Sequence, residues 1–244
     1  MANHPTIEKM KHMKLYGMAQ LHYSAIHENM YGDYTTDEYL NLLIDQEWEH
    51  RQSRKIVNLT KTAGFRLQAY PSDIDYTSKR NLDKNQFERL VSLEFIRKKQ
   101  NIIFEGATGV GKSYLAQALG HHACSMLYKT LYFPTARLFE KLKIAKLDGT
   151  YLKELKKLQK AHLLILDDFG LHPFDNYSRQ ALMDLIEDRY DRTSTIVISQ
   201  IPVSKWHGLI GEGTIADAIL DRLVNSSHRI QLEGDSMRKK KKIQ

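Results

Sequence analysis

One glycine-rich segment, Gly106–Ser113, constrains the fold of this chain more than any other feature, because it fits the pattern G-x-x-x-x-G-K-[ST] in full. A predicted strand at 101–105, apolar at 102–104, precedes it, and a helical pattern from Lys112 to about Leu127 follows it. Glycines let the backbone curl so that successive N–H groups point at phosphate oxygens, and the new helix adds its positive end there. The strand–loop–helix order therefore predicts a phosphate-binding loop in an α/β domain rather than a chance glycine-rich turn.

Two side chains of this segment have separate predicted tasks. Lys112 supplies a positive charge to the β- and γ-phosphates of ATP, and the hydroxyl of Ser113 coordinates Mg²⁺. The other positions present main-chain N–H groups to the phosphates. The predicted nucleotide-binding residues are Gly106, Ala107, Thr108, Gly109, Val110, Gly111, Lys112, Ser113 and Tyr114. ATP and Mg²⁺ are the predicted cofactors.

Short apolar runs alternate with helical patterns from about Phe87 onward, which predicts βαβ units and a parallel sheet flanked by helices. The later strands are predicted at 130–133, 163–166 and 194–198, with a short last strand at 229–232. Helices are predicted over 137–160, broken near Asp148-Gly149, and from Tyr177 to about Tyr190. The predicted fold class is therefore α/β with a P-loop core.

The N-terminal third has a helical pattern instead. Apolar residues recur at helical spacing at Met10, Met13 and Leu21 until Gly32-Asp33. A second helix is predicted from Thr36, whose hydroxyl can cap it. The predicted buried stripe of this helix is Leu40, Leu43, Ile44 and Trp48.

These patterns predict three regions. Residues 1–75 form a small helical domain for DNA or partner contact, 76–90 form a linker and a leading helix, and 91–244 form the ATPase domain with a basic C-terminal tail. Basic and acidic residues number 8 and 10 in the first 75 positions, and 28 and 19 in the remainder. The positive excess of the second part is compatible with a polyanionic partner.

Composition also predicts where the protein works. No stretch approaches the ~18–20 apolar residues that span a bilayer, so we expect no membrane association. The first five residues are polar and lack the apolar run of a secretory signal. A single cysteine, Cys124, cannot form an internal disulfide. A cytoplasmic location is therefore expected.

Polar residues follow two of the predicted strands. The run 163–166 ends in Asp167 and Asp168, and ligands bind at the carboxyl ends of buried parallel strands. Asp167 is predicted to hold the Mg²⁺ shell, and Asp168 to orient or deprotonate the attacking water. Alternatively, the pair caps the next element. Gln200, with Ser199 as second choice, is predicted to reach the γ-phosphate or its water, unless this is an ordinary strand-end turn.

Four segments resemble one family in their order and spacing with the phosphate loop: Leu163–Gly170, Ser199–His207, Ile215–Leu223 and Gly234–Lys240. They are similar to the IstB-like ATP-binding proteins of bacterial insertion sequences. These are AAA+ transposition helpers related to the DnaC-type helicase loaders. The resemblance covers nearly the whole chain and implies an AAA+ core. Because only a short basic tail follows the last strand, we expect no full C-terminal lid.

The resemblance implies an ATPase that assembles with ATP on double-stranded DNA and recruits and stimulates the transposase at the target site. It implies a homo-oligomer with shared ATP sites. By position, Arg222 matches an arginine finger that reaches the neighbouring subunit's γ-phosphate; alternatively it forms a surface ion pair with Asp221 or Asp217. Arg238 matches a second phosphate-sensing arginine, or belongs to a solvated tail that touches DNA.

The DNA-facing surface is predicted on the helical stretch that follows the second strand. Its cationic stripe, at i, i+3, i+4 and i+7, consists of Lys153, Lys156, Lys157 and Lys160. The alternative is a solubilising helix face. Nearer the N-terminus, three basic residues could contact DNA or the transposase: Arg51, Arg54 and Lys55. Two other functions stay open, a replicative helicase loader and a small-molecule P-loop kinase.

Overall fold

The structure is a computed structural model that describes residues 5–28 and 34–237. Its helices and strands follow in chain order: α1 (Pro5–His12), α2 (Tyr16–His27), α3 (Thr36–Ala63), α4 (Lys84–Val91), α5 (Glu94–Arg97), β1 (Asn101–Gly106), α6 (Lys112–Ser125), β2 (Thr130–Pro134), α7 (Thr135–Leu147), α8 (Tyr151–Gln159), β3 (Leu163–Asp167), α9 (Asn176–Arg189), β4 (Ser194–Ser199), α10 (Trp206–Ile210), α11 (Gly213–Val224) and β5 (Ser227–Leu232). Within the described residues, no helix is long and apolar enough to cross a membrane.

The strands form one parallel sheet in the order β2-β3-β4-β1-β5. Alternate side chains of each strand point to opposite faces, so the core has two halves. Phe104 of β1 packs in the half that contains α6, and its neighbour Ile103 packs in the half that contains α7, α8, α9 and α11. This confirms the predicted α/β class, because continuous apolar strands require cover on both faces.

Few described residues follow the last strand. The described chain ends at Met237, five residues after β5, and no helical domain follows that strand among the described residues. Arg238 and the basic run after it lie outside the described residues.

The chain divides into two compact units, Met1–Asn58 and Leu59–Gln244. This division falls earlier than the predicted boundary at residue 75. The reason is that Ala69 and Ile74 belong to the core of the second unit, and so do Phe87 and Leu90 of the predicted linker and leading helix. Polar composition suggested a linker before Lys84, but its apolar residues Tyr76 and Leu82 are half-buried against the same core.

In the first unit, the predicted buried stripe of α3 is wrong at three of its four positions. Leu43 is buried, whereas the other three are exposed to 49%, 49% and 65%: Leu40, Ile44 and Trp48. Helix α2 packs on a neighbouring face, where a Cβ added to Gly17 would lie 2.6 Å from the carbonyl oxygen of Gln46. The small residue permits this close approach, and it therefore selects the face of α3 that is covered.

Two details of the N-terminal helices also differ from the prediction. Helix α3 begins at Thr36 as predicted, but Thr35 caps it: its Oγ1 accepts from Glu38 N at 3.3 Å, and its own N donates to Glu38 Oε2 at 2.8 Å. The first helical region is two helices, α1 and α2, separated near Lys14, whose φ is 61°. The predicted break at Gly32-Asp33 lies outside the described residues.

Glu47 of α3 caps the start of α2. Its Oε2 accepts from the backbone N of Gly17 at 2.8 Å and of Met18 at 3.3 Å, and its Oε1 accepts from Arg51 Nε at 2.6 Å. These amides are among those that no carbonyl of their own helix can satisfy. Burial pushes the pKa of Glu47 upward, but hydrogen bonds from Arg51, Met18 and Gly17 outweigh it and lower the pKa overall.

We expect Glu47→Ala to loosen α2. The substitution leaves the buried amide of Gly17 and the half-buried amide of Met18 without an acceptor, which costs roughly 1–3 kcal/mol. Hydrogen exchange of peptides covering α2 should therefore accelerate about tenfold or more. Exposed Glu49 supplies the control substitution, Glu49→Ala, which should change nothing. Because the folded pKa is lowered, the wild-type protein should show the same loosening as the pH falls through that pKa.

Candidate nucleotide-binding site

The phosphate-binding loop connects β1 to α6 at the carboxyl edge of the sheet. Lys112 is 6% exposed, and its Nζ donates to the carbonyl oxygens of Gly106 at 2.6 Å and Ala107 at 2.7 Å. The ammonium group therefore lies against the start of the curled segment. This is the place where the sequence predicted a charge for the nucleotide's phosphates.

Asp167 at the end of β3 comes together with the loop as predicted. The Ser113 hydroxyl donates to Asp167 Oδ1 at 3.1 Å, and the Asp168 backbone N donates to the same oxygen at 2.9 Å. Asp167 is only 4% exposed, so its orientation is fixed by these partners. A hydroxyl and a carboxylate this close are oxygen ligands of the kind that Mg²⁺ prefers.

The donor set fits a magnesium ion that is shared with a nucleotide. Mg²⁺ is usually held by one or two carboxylates together with phosphates and water. Among residues 5–28 and 34–237, no cluster of three or more His, Cys, Asp or Glu could hold a metal ion by itself. Ser113 and Asp167 would therefore hold the ion only together with the phosphates of ATP.

Tyr132 of β2 is part of this arrangement, and the sequence analysis missed it. Its hydroxyl donates to Asp167 Oδ2 at 2.6 Å. Thr135 donates its hydroxyl to the Asp167 backbone oxygen at 2.8 Å. Burial, together with the bond to Asp167, raises the pKa of Tyr132. A tyrosine inside an otherwise apolar, buried strand was the available signal, because a buried hydroxyl needs a partner.

Asp168 lies beside this network rather than within it. Its backbone has a φ of 56°, and its side chain is exposed. It lines a cavity of about 310 Å³ between the start of α7 and the loop that leads to α9. The two successive carboxylates therefore face different surroundings.

Gln200 and Ser199 have different surroundings in the structure. The Ser199 hydroxyl is buried, donates to the Phe169 backbone oxygen at 2.8 Å and accepts from Ile201 N at 3.0 Å. Ser199 therefore stabilises the turn after β4. Gln200 is exposed at the end of that strand, and the register that pairs Ser199 with Glu105 places it level with the start of the phosphate loop.

Arg222 does not join the site of its own chain. Its backbone oxygen accepts from Asn101 Nδ2 at 3.2 Å, at the start of β1, whereas the phosphate loop follows the other end of that strand. Six residues of parallel strand span about 16 Å. Its Nη2 lies 2.7 Å from Glu187 Oε2, so the predicted alternative of an ion pair with Asp221 or Asp217 is wrong about the partner.

The predicted DNA-contacting lysines lie on α8 and at its end, and all four are exposed. Their helix packs on α7 and α9, with its apolar face at Leu155 and Leu158. The stripe is therefore free of the core, as a binding face or a solubilising face requires. In the first unit, Arg51 bonds to Glu47, and Arg54 lies 5.6 Å from the ring centroid of Tyr16.

A five-stranded parallel sheet with a complete phosphate loop, whose serine touches the carboxylate at the end of β3, defines a P-loop ATP-binding core of the AAA+ type. The family described as IstB-like ATP binding protein matches residues 8–244. The chain belongs to this family.

Two relatives from bacterial insertion sequences are similar to this chain over most of their length. An insertion-sequence ATP-binding protein of Sinorhizobium fredii is 44% identical over 239 residues, covering 98% of both chains. The insertion sequence IS21 ATP-binding protein of Pseudomonas aeruginosa is 31% identical, covering 96% of this chain and 86% of that protein. Membership of this family supports ATP binding.

Solved structures confirm the fold. The crystal structure of the DnaI protein superposes with a TM-score of 0.57 and 21% identity, covering 68% of this chain and 91% of DnaI. The DnaC helicase loader superposes with a TM-score of 0.53 and 20% identity, covering 64% of this chain and 93% of the loader. At this level of identity the likeness concerns the fold alone.

Proposed function

We propose that this protein is an ATPase that assembles with ATP on double-stranded DNA and recruits and stimulates the transposase of an insertion sequence. The observation that carries the proposal is the contact between Ser113 and Asp167 beside the lysine of the phosphate loop. It brings together the groups that an Mg²⁺-dependent ATPase needs. The transposition role rests on family membership, since the relatives are ATP-binding proteins of insertion sequences.

The residues of the site divide the work of hydrolysis. Lys112 and the loop amides bind and orient the β- and γ-phosphates, and Ser113 and Asp167 hold Mg²⁺. When bound, Mg²⁺ neutralises charge that develops on the phosphate oxygens. Asp168 or Gln200 orients the attacking water, because both are exposed at the same edge of the sheet. Tyr132 and Thr135 hold Asp167 in place.

The catalytic site is shared between copies of the chain. Arg222 is at the amino end of β1 in its own chain, so only another protomer can present it to a given phosphate loop. Hydrolysis would then depend on assembly, because the finger arrives in trans. Arg238 supplies a further contact to the phosphates. In support, the preceding residue, Met237, donates its backbone N to the Gly109 oxygen of the loop at 2.9 Å.

Duplex DNA contacts the lysine stripe of α8. Four exposed ammonium groups on one helical face suit a row of phosphates and carry no base preference. Each phosphate contact releases counterions, so binding weakens as salt rises.

This interface predicts a specific salt response. The quadruple variant Lys153→Ala/Lys156→Ala/Lys157→Ala/Lys160→Ala should bind DNA more weakly. Its slope of log affinity against log salt should also be shallower by about 3–4 per protomer. The four Lys→Arg substitutions at the same positions keep the charge and should keep the slope. Titration of labelled duplex with a non-hydrolysable ATP analogue measures both, and equal slopes for all three proteins would remove α8 from the interface.

A helicase loader of the DnaC type is the alternative, favoured by the shared fold of the ATPase core. The two functions differ in the partner protein. Pull-down of the cognate transposase in the presence of ATP and DNA supports the proposal. Capture of the replicative helicase instead, with no transposase, replaces it by the alternative.

A further inference from the structure

The outer face of the phosphate loop is covered by residues outside the glycine motif. We call Arg80 and residues 232–237 together the loop bracket. Three loop glycines have positive φ angles of 138°, 85° and 101°, and each abuts the bracket without room for a Cβ. The added atom would lie 2.0 Å from Leu232 O at Gly106, 2.3 Å from Ser236 Oγ at Gly109, and 2.5 Å from Arg80 Nη1 at Gly111. The glycines are therefore required on this side as well as on the phosphate side.

The bracket is tied together and to the loop at separate points. The backbone N of Glu233 donates to the Arg80 oxygen at 3.1 Å. Next to it, Gly234 has a φ of 94° and lies so close to the Lys79 oxygen that a Cβ would be 2.4 Å away. At its far end, Met237 N donates to the Gly109 oxygen at 2.9 Å. Residues 232–237 thus bridge the segment around Arg80 and the phosphate loop.

Arg80 carries a buried charge that the protein satisfies only in part. It is 4% exposed; its Nη2 donates to the Asp75 backbone oxygen at 2.9 Å, and its Nη1 reaches the Val110 oxygen at 3.4 Å. Its buried Nε has no hydrogen-bond partner. Burial lowers the pKa of Arg80, while Asp75 and Tyr76 act in the opposite direction.

Another buried arginine, Arg189, has hydrogen-bond partners on all three guanidinium nitrogens. The Arg189 guanidinium donates to four oxygens at the amino edge of the sheet: those of Leu158, Ala161 and Ser194, and the Thr195 hydroxyl. Its role is accounted for by these bonds. A buried cation without such partners is unfavourable by several kcal/mol. Packing alone therefore does not explain why an arginine is buried at position 80.

We propose that Arg80 and residues 232–237 hold the phosphate loop in its phosphate-binding shape, with Arg80 as the positioning residue. The inference rests on the proposed binding of ATP at that loop. Without the bracket the loop samples other shapes, and apparent affinity falls in proportion to the fraction that remains competent. The substitutions replace none of the catalytic groups, so molecules whose loop is in the competent shape hydrolyse ATP normally and turnover at saturating ATP is maintained.

Two substitutions test the bracket from different sides. Arg80→Met removes the charge at similar volume. Gly234→Ala places a Cβ against the Lys79 backbone and so displaces residues 232–237, while the Arg80 side chain and the residues of the loop stay unsubstituted. Each should raise the Kd for ATP and ADP, and the KM, at least tenfold, while kcat at saturating ATP and DNA stays within about threefold. The double variant should change affinity by less than the two effects combined, because both act through one bracket. Arg229→Met, at an exposed arginine of β5, is the matched control and should bind normally.

The outcomes separate the inference from its alternatives. Unchanged Kd values for folded Arg80→Met and Gly234→Ala overturn it, and so does a loss of thermal stability without nucleotide that leaves Kd unchanged, since that marks a structural role only. If Arg80→Met does not fold, Gly234→Ala decides alone, because Gly234 is exposed. Failure of the wild type to bind ATP overturns the proposed function as well, whereas normal variants of an ATP-binding wild type overturn this inference alone.

Discussion

Lys112→Ala should abolish ATP binding and, with it, assembly on DNA. The ammonium group is nearly buried at the loop, where it donates to two backbone oxygens within 2.7 Å. Hydrogen bonds to a charged group contribute roughly 1.5–3 kcal/mol each, so loss of the group should weaken ATP binding at least ~100-fold. Titration with a fluorescent ATP analogue measures the affinity. Electron microscopy with duplex DNA and a non-hydrolysable analogue measures assembly.

Exposed Lys61 supplies the control for this experiment, since Lys61→Ala removes the same charge from the surface and should leave both measurements unchanged. Binding and assembly should fail together in Lys112→Ala if assembly requires the bound nucleotide. Normal assembly by a variant that no longer binds ATP would contradict the proposed order of events.

Arg222→Ala should keep nucleotide binding and lose hydrolysis. Its side chain is far from the phosphate loop of its own chain, so the Kd for ATP should stay within about threefold of the wild type. An arginine finger supplied in trans contributes ~10³–10⁵ in rate in other NTPases, and we expect a loss in that range for the DNA-assembled protein. Release of phosphate in the presence of duplex DNA is the measurement.

Glu187 provides the matched control for the arginine finger. In the structure it forms an ion pair with Arg222 at 2.7 Å. Glu187→Gln breaks that pair but leaves the arginine for a neighbouring protomer, so hydrolysis should persist. If the only role of Arg222 is its ion pair with Glu187, Arg222→Ala and Glu187→Gln should have the same effect on hydrolysis. Wild-type rates from Arg222→Ala would show that the arginine finger is elsewhere.

The core of the site was predictable because its chemistry is local. A loop of curled backbone needs glycines at fixed offsets, and a buried parallel strand needs a continuous apolar run before its terminal carboxylate. Each requirement is met by consecutive residues, the first by Gly106–Ser113 and the second by the strand that ends at Asp167. The contact of Ser113 with Asp167 follows from the topology, since these elements end at one edge of the sheet.

Other features depend on which surfaces meet, and sequence patterns do not specify that. The apolar stripe of α3 had helical spacing, yet α2 covers the neighbouring face because Gly17 permits a closer approach there. The predicted linker was polar in composition, yet Tyr76 and Leu82 within it pack against the core of the second unit. Periodicity identifies an amphipathic helix but leaves open which of two adjacent faces finds a partner.

By itself, the sequence determined the strands of the ATPase core, the phosphate loop and the carboxylate beside it, because these depend on backbone conformation and on the spacing of neighbouring residues. Only the tertiary structure decided that Tyr132 orients Asp167, that Arg222 pairs with Glu187, and that Arg80 and residues 232–237 cover the loop. All of these contacts join residues that are far apart in the sequence. Their formation depends on how the elements pack in three dimensions, which no local pattern records.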